Sequence, residues 1–353
     1  MSPLRETQPS RLRVLVADDS AAARLLIRGI LEADPELEVV GQATDGAEAV
    51  ALADRLAPDV ITMDVAMPGV DGLEATRQIM ARVPRPIVLV SGVFTPDLDN
   101  SFRALEAGAV TLLEKPSGPG SPAFARGAAE LVATVKLMAG VKLVRRSSRR
   151  TGKTGVPGPR EPQPTEPLRI VAIAASTGGP PAVAQILRAL PADWPVPVLV
   201  VQHIGVGFDA GLVRYLDECC PLPVALAEDG RGLAGGAVYV SPAEAHLGVT
   251  AGHQLTVAAG EPIDGYLPSA NHLFRSVAGA FGAGAVGVVL TGMGRDGAEG
   301  LLTLRQAGGL AIAQDQTTSI VYGMPRQALL QGAAAEVLPV EDIARALIAR
   351  AAR

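Results

Sequence analysis

Two stretches of the chain share one rhythm. A short run of β-branched and other apolar residues is followed by a longer run in which apolar residues return every three or four positions. In the first stretch the short runs are residues 11–17 (RLRVLVA), 37–41 (LEVVG), 59–63 (DVITM), 85–91 (RPIVLVS) and 109–114 (AVTLLE). The helical periods occupy 20–33, 46–56, 71–83, 97–108 and 123–140. Five strand and helix pairs in about 130 residues predict a doubly wound parallel sheet, since parallel neighbours need a crossover helix between them. With short connections and right-handed crossovers, the arrangement expected is flavodoxin-like. The second stretch has strand-like runs at 168–176 (LRIVAIAAS), 195–203 (PVPVLVVQH), 237–241 (AVYVS), 285–292 (AVGVVLTG) and 310–315 (LAIAQD), with two further short β-like runs amid glycines. The fold class expected is therefore α/β, with two doubly wound parallel-sheet domains at 11–140 and 168–353.

Between them, residues 141–167 have no amphipathic period, almost no large apolar residue after Val144, and five prolines. Charge sharpens the division. Residues 1–140 carry 13 basic and 19 acidic groups, a net −6, and residues 168–353 carry 11 and 15, a net −4. Residues 141–167 carry 7 basic and 2 acidic groups, a net +5, so two acidic bodies are joined by a basic, proline-rich linker. A solvated tether is the reading preferred to a nucleic-acid arm. Aromatic residues make up only 3% of the 353 residues, too few for base-stacking platforms, and no recognition-helix pattern occurs. The start of the chain has no continuous apolar signal-peptide core, and the two uncharged runs near 170–187 and 276–294 are broken by glycine and proline, so neither export nor membrane insertion is expected. Adjacent Cys219 and Cys220 suit a reducing compartment. The expectation is a cytoplasmic monomer.

Chemistry concentrates at predicted strand ends. In the first domain Asp18 and Asp19 end the first strand, Asp64 the third, Ser91 the fourth and Lys115 the fifth. Carboxylates of this kind hold a hard divalent cation, one of them can attack phosphorus, and serine and lysine stabilise transferred oxygens. Through VADDS (16–20), DVAMPGVDG (64–72), VSG (90–92) and EKP (114–116), residues 11–140 resemble response-regulator receiver domains. The resemblance implies phosphorylation of Asp64 by a chemotaxis histidine kinase. It also implies Mg²⁺ held directly by Asp19 and Asp64, by Asp18 through water, and by the Ala66 carbonyl, with Ser91 and Lys115 as switch residues. Leu112 stands where such domains usually carry an aromatic residue, and Ala66 where a larger polar one is common.

In the second domain Ser176, His203 and Asp296 each follow a strand, which delivers a hydroxyl, an imidazole and a carboxylate to one sheet edge. That is the set of a nucleophilic hydrolase, and the adjacent glycines leave N–H groups free to face an oxyanion. The same glycine-rich turns are also compatible with an anion-binding site, although the phosphate-loop and dinucleotide patterns are missing. The order Ser, His, Asp differs from that of the α/β-hydrolases, and there is no G-x-S-x-G elbow. His246, His253 and His272 are expected to be ordinary packing or polar residues.

The runs AIAASTGGP, VVQHI, AEDG, LFRSVA, VVLTGMGRDGAEGL, LRQAGG, IAQD and VYGMPRQA make residues 168–340 similar to the catalytic domain of the CheB protein-glutamate methylesterase family. The resemblance implies an α/β hydrolase-type catalytic domain with Ser176 as nucleophile, His203 as base and acid, Asp296 orienting the histidine, and backbone N–H groups near Thr177 and Met293 as oxyanion donors. It implies an esterase without cofactor that removes methyl groups from glutamyl γ-methyl esters of methyl-accepting chemoreceptors, and also deamidates receptor glutamines. In the family the receiver covers the active-site edge, and phosphorylation loosens that contact. The chain departs from the family at Gly265-Tyr266-Leu267, Ala245, Ile204 and Asn271-His272; the lost positive charge points to a receptor of an alternative chemosensory system. The competing readings are a phosphorylation-controlled adaptor with an inactive hydrolase domain and a DNA-binding regulator using the linker arginines.

Overall fold

In the computed structural model, residues 11–92, 98–141 and 166–352 are described, and the chain divides into two compact units. The expected linker lies, over residues 142–165, outside the described residues.

Among its described residues the first unit alternates strand and helix: β1 (Leu12–Ala17), α1 (Ala21–Glu32), β2 (Leu37–Ala43), α2 (Gly46–Leu56), β3 (Val60–Met63), α3 (Gly72–Arg82), β4 (Ile87–Ser91), α4 (Leu98–Glu106), β5 (Thr111–Glu114) and α5 (Phe124–Ala139). All five strands are parallel, in the order β2-β1-β3-β4-β5. The apolar runs stay continuous because helices cover both faces: β3 and β4 are buried along their whole length. Side-chain caps start α1, α2 and α3: Ser20, Asp45 and Asp71 each accept from the backbone N–H three residues on, satisfying a donor that the first turn leaves free. This is the flavodoxin-like topology the sequence predicts.

The second unit contains β6 (Ile170–Ala175), α6 (Gly179–Arg188), β7 (Val198–Gln202), α7 (Asp209–Cys219), β8 (Val224–Leu226), β9 (Val238–Val240), β10 (His246–Val249), β11 (Leu255–Ala258), α8 (Ala270–Phe281), β12 (Ala285–Val289), α9 (Ala298–Gln306), β13 (Leu310–Gln314), α10 (Met324–Leu330), β14 (Glu336–Leu338) and α11 (Val340–Ala351). Seven strands form a parallel sheet in the order β14-β13-β12-β6-β7-β9-β8, while β10 and β11 pair antiparallel as a separate hairpin. Every residue of β6, β7 and β12 is buried. Alternate positions of β6, namely Ile170, Ala172 and Ala174, join the core beneath α8, α9 and α10. Helices α6, α7 and α11 form the second layer. Each fully buried Leu, Ile or Val contributes about 1.5–3 kcal/mol relative to exposure, which fixes strand register here.

The sheet reverses direction of growth at β6. The chain moves from β6 to β7 on one side and later returns to lay β12 on the other. Helices following β6 and β12 therefore leave toward opposite layers, opening a crevice above the carboxyl ends of the strands. Ser176 and Asp296 follow those two strands, and His203 follows β7.

Candidate active site

The loops after β6 and β12 are tied together at the crevice. Ser176 donates its backbone N–H to Thr291 O at 3.0 Å, and Thr291 Oγ1 donates to Thr177 O at 2.9 Å. His203 is fixed from the third strand by its own N–H to Ala175 O at 2.9 Å. The buried Gln202 amide then bridges Ser176 O at 2.8 Å and His203 O at 2.9 Å, locking the two turns to each other. Packing is close enough to require glycine: a Cβ at Gly292 would lie 2.6 Å from Ser176 Cβ, and one at Gly179 would collide with the Gln202 amide. Gly178, with φ of +73°, turns the chain from Ser176 into α6.

Asp296 is fully buried, and both its oxygens are saturated. Oδ1 accepts from Ser269 Oγ at 3.1 Å, Asn271 N–H at 2.9 Å and Gly297 N–H at 2.9 Å. Oδ2 accepts from Ala270 N–H at 2.6 Å and faces His203 Nε2 at 2.9 Å. Two of these donors are the first free N–H groups of α8, whose N-terminus favours negative charge. Burial alone would raise the carboxyl, but the His203 hydrogen bond and charge and the N–H groups of Asn271 and Ala270 hold it below its ordinary value. The group is a fixed anion.

An anion at Nε2 requires the proton there, which leaves Nδ1 of His203 with its lone pair. Nδ1 is buried and has no hydrogen-bond partner among the described residues. It is the ring atom available to take a proton. The backbone N–H groups of Thr177 and Met293 have no acceptor among the described residues, and Met293 is exposed at the crevice.

Several groups at this site escaped the sequence reading. Nothing local in the sequence ties the start of α8 to Asp296, although Ser269 three residues before His272 has the form of an N-cap. Tyr266 stacks on His203, ring centroids 5.0 Å apart and planes 21° from parallel. His246 is a hydrogen-bonded polar residue: its Nδ1 accepts from Ser269 N–H at 3.1 Å and its other nitrogen meets Glu261 O at 3.1 Å. His272 lies against it, 5.2 Å between centroids. His253 sits away from the site, on Phe281 and Arg169.

In the first unit the candidate residues also converge. One carboxylate oxygen from each of Asp18, Asp19 and Asp64 lies within 4.8 Å of the others. Asp18 and Asp64 are buried, and Asp19 is exposed. Lys115 Nζ sits 2.8 Å from both Asp18 Oδ2 and Asp64 Oδ2. Burial raises the Asp64 carboxyl above its ordinary value, outweighing Lys115, with Asp18 adding in the same direction. Burial works against the charge of Lys115, but its two carboxylate partners carry it above the ordinary value. Ser91 Oγ is buried without a partner, and the Ala66 carbonyl accepts no hydrogen bond among the described residues. Three hard oxygen donors with one exposed side suit a small divalent cation that keeps part of its water shell. Leu112 occupies its expected place in β5, half-buried.

Comparison with known proteins finds a family match in each unit. The CheB methylesterase family matches residues 171–347, and the response regulator receiver domain family matches residues 14–121. The chain is 53% identical to protein-glutamate methylesterase/protein-glutamine glutaminase 3 of Anaeromyxobacter dehalogenans, over 94% of this chain and 97% of that protein. It is 50% identical to protein-glutamate methylesterase/protein-glutamine glutaminase 4 of Myxococcus xanthus, over 95% and 96%. The crystal structure of the Thermotoga maritima CheB methylesterase catalytic domain superimposes with a TM-score of 0.50 at 36% identity, covering 52% of this chain and 98% of that one. No helix among the described residues is long and apolar enough to cross a membrane. A serine, a histidine and a buried carboxylate follow strands at the switch point of one unit, and a cluster of three carboxylates that could hold a metal ion lies in the other; with near full-length similarity to its relatives, the chain belongs to the CheB methylesterase family in its receiver-containing form.

Proposed function

We propose that residues 168–353 hydrolyse glutamyl γ-methyl esters on the cytoplasmic helices of methyl-accepting chemoreceptors, under control of a receiver at 11–140 joined by the linker at 141–167. The observation that carries this reading is the saturated Asp296 carboxylate facing His203 Nε2 at 2.9 Å while Nδ1 has no partner among the described residues. Ser176 Oγ attacks the ester carbonyl carbon as its proton passes to His203 Nδ1. The tetrahedral oxyanion is held by the N–H groups of Thr177 and Met293, each such donor being worth roughly 10²–10³ in rate. Collapse breaks the C–O bond to methoxide, which leaves as methanol with the proton from Nδ1. Water, deprotonated by the same nitrogen, then cleaves the acyl-serine to glutamate. With a glutamine side chain the same sequence releases ammonia. Asp296 stabilises the imidazolium formed in each half.

In the receiver, Asp64 is the acceptor of a phosphoryl group from a histidine kinase. Asp18, Asp19, Asp64 and the Ala66 carbonyl would hold Mg²⁺, which when bound neutralises charge on the transferred oxygens. Lys115 and Ser91 face the new phosphoryl oxygens. A phosphoryl group adds about −1.5 to −2 charge, enough to bias a two-state contact and release the esterase.

The test is methanol release from methylated receptors of the same cell. Ser176→Ala is expected to abolish release and labelling by a serine-directed fluorophosphonate, and a phosphodonor is expected to raise wild-type release. Turnover by Ser176→Ala at the wild-type rate overturns the assignment.

A further inference from the structure

Tyr266 touches the site, yet the reaction as written gives it no part. Its position is set by a very tight turn. Ile263 and Tyr266 exchange both backbone hydrogen bonds, at 3.0 and 2.9 Å, and the two residues between them, Asp264 and Gly265, have φ of +53° and +87°. Positive φ at both central positions is the hairpin turn for which Asp-Gly is the preferred pair. A two-residue turn has little slack, so the side chain it presents is held in place. Its ring lies on His203 at 5.0 Å, and its hydroxyl reaches the backbone of Gly294, where any Cβ would collide with it. Gly294, at φ +94°, is the residue after Met293. One side chain thus spans the general base and the loop carrying the second oxyanion donor.

From this geometry we infer that Tyr266 is a positioning residue for ester hydrolysis: its ring holds the His203 imidazole with Nε2 toward Asp296, while its hydroxyl only packs against Gly294. This inference rests on the triad reading above.

Aromatic stacking of this kind is worth about 2- to 12-fold in rate. Tyr266→Leu, which loses ring and hydroxyl, is expected to lower kcat about 10-fold with KM within about twofold of wild type. Tyr266→Phe keeps the ring and is expected to lie within about threefold of wild type. The rate of Ser176 labelling by a fluorophosphonate should follow the same ranking, independently of receptor binding. Wild-type kcat in Tyr266→Leu, a Phe variant as impaired as Leu, or a raised KM at unchanged kcat each overturns the inference. If Tyr266→Leu melts early, Tyr266→Phe and Tyr266→His, which both keep a planar ring, decide it: a tenfold loss in both is the negative result. Ser176→Ala run in parallel separates the two readings. An inactive Ser176→Ala beside a fully active Tyr266→Leu removes only the role of Tyr266, whereas an active Ser176→Ala removes the triad.

Discussion

Replacing Asp296 by asparagine changes one atom and disturbs two things at once. The amide must place its NH₂ where one carboxylate oxygen was. In the Oδ1 position it would oppose the N–H groups of Asn271 and Gly297; in the Oδ2 position it opposes only Ala270 N–H and His203. The second orientation is the less costly, and it has a chemical consequence. His203 Nε2 must then accept rather than donate, so the ring proton moves to Nδ1, the atom that takes the serine proton in the mechanism proposed above. Wrong-tautomer histidine in a triad of this type costs about 10⁴ in kcat. The orphaned Ala270 N–H costs about 1–3 kcal/mol of stability, or roughly 2–12 °C in melting temperature for a domain of this size. The stability deficit should also depend on pH. The native Asp296 carboxyl lies below its ordinary 3.8, so its contribution is complete above that value and is lost as pH falls through the lower, folded value. Wild type and Asp296→Asn should therefore converge in acid. Methanol release and urea unfolding measured between neutral and acid pH check both parts. An Asn variant with kcat within tenfold of wild type, or equal stability at neutral pH, refutes the reasoning.

Other outcomes follow from individual contacts. Gly292→Ala places a methyl 2.6 Å from Ser176 Cβ, and the displaced nucleophile should cost about 10²-fold in kcat with the domain still folded by circular dichroism. Asp64→Asn should abolish stimulation by a phosphodonor while leaving unstimulated methanol release unchanged. Because burial raises the Asp64 carboxyl, its ionised form works against folding above the ordinary value, so the same variant should melt higher than wild type at neutral pH without divalent cation. Removing Mg²⁺ with a chelator should likewise abolish the phosphodonor response and leave the unstimulated esterase intact.

The parts of the protein legible in sequence were those governed by local period and by the sheet rule. The buried strands read as unbroken apolar runs, and a polar residue directly after such a run had to emerge at the carboxyl edge, which is why Ser176, His203, Asp18 and Asp64 could be picked out; Asp296 lies seven positions past the end of β12 and was legible only as part of the loop that follows it. What the sequence hid were groups brought in by elements with no strand ahead of them. The N-terminus of α8 reaches Asp296 only through tertiary packing, since Ala270 and its carboxylate partner are 26 positions apart and share no periodic signal. Tyr266 carried a readable sign, the Asp264-Gly265 turn, but nothing local says which ring the turn will face. Gln202 looked like the tail of a strand, and only the register of β6 and β7 makes its amide a clasp. Short β14, with no fully buried position, gave no apolar run to notice.

The placement of β6 between β7 and β12 also sets an order of assembly. Ile170 pairs with Ala285 on one side, whereas Val171 pairs with Val198 on the other, so the first ladder closes a loop roughly four times longer than the second. Loop-closure entropy makes the long-range ladder the later and slower event. Ser176 and His203 should therefore meet while Asp296 is still absent, leaving a chain on the ribosome hydrolytically silent until β12 docks. Pulse-labelled amide exchange that found β12 protected before β7 would contradict this order.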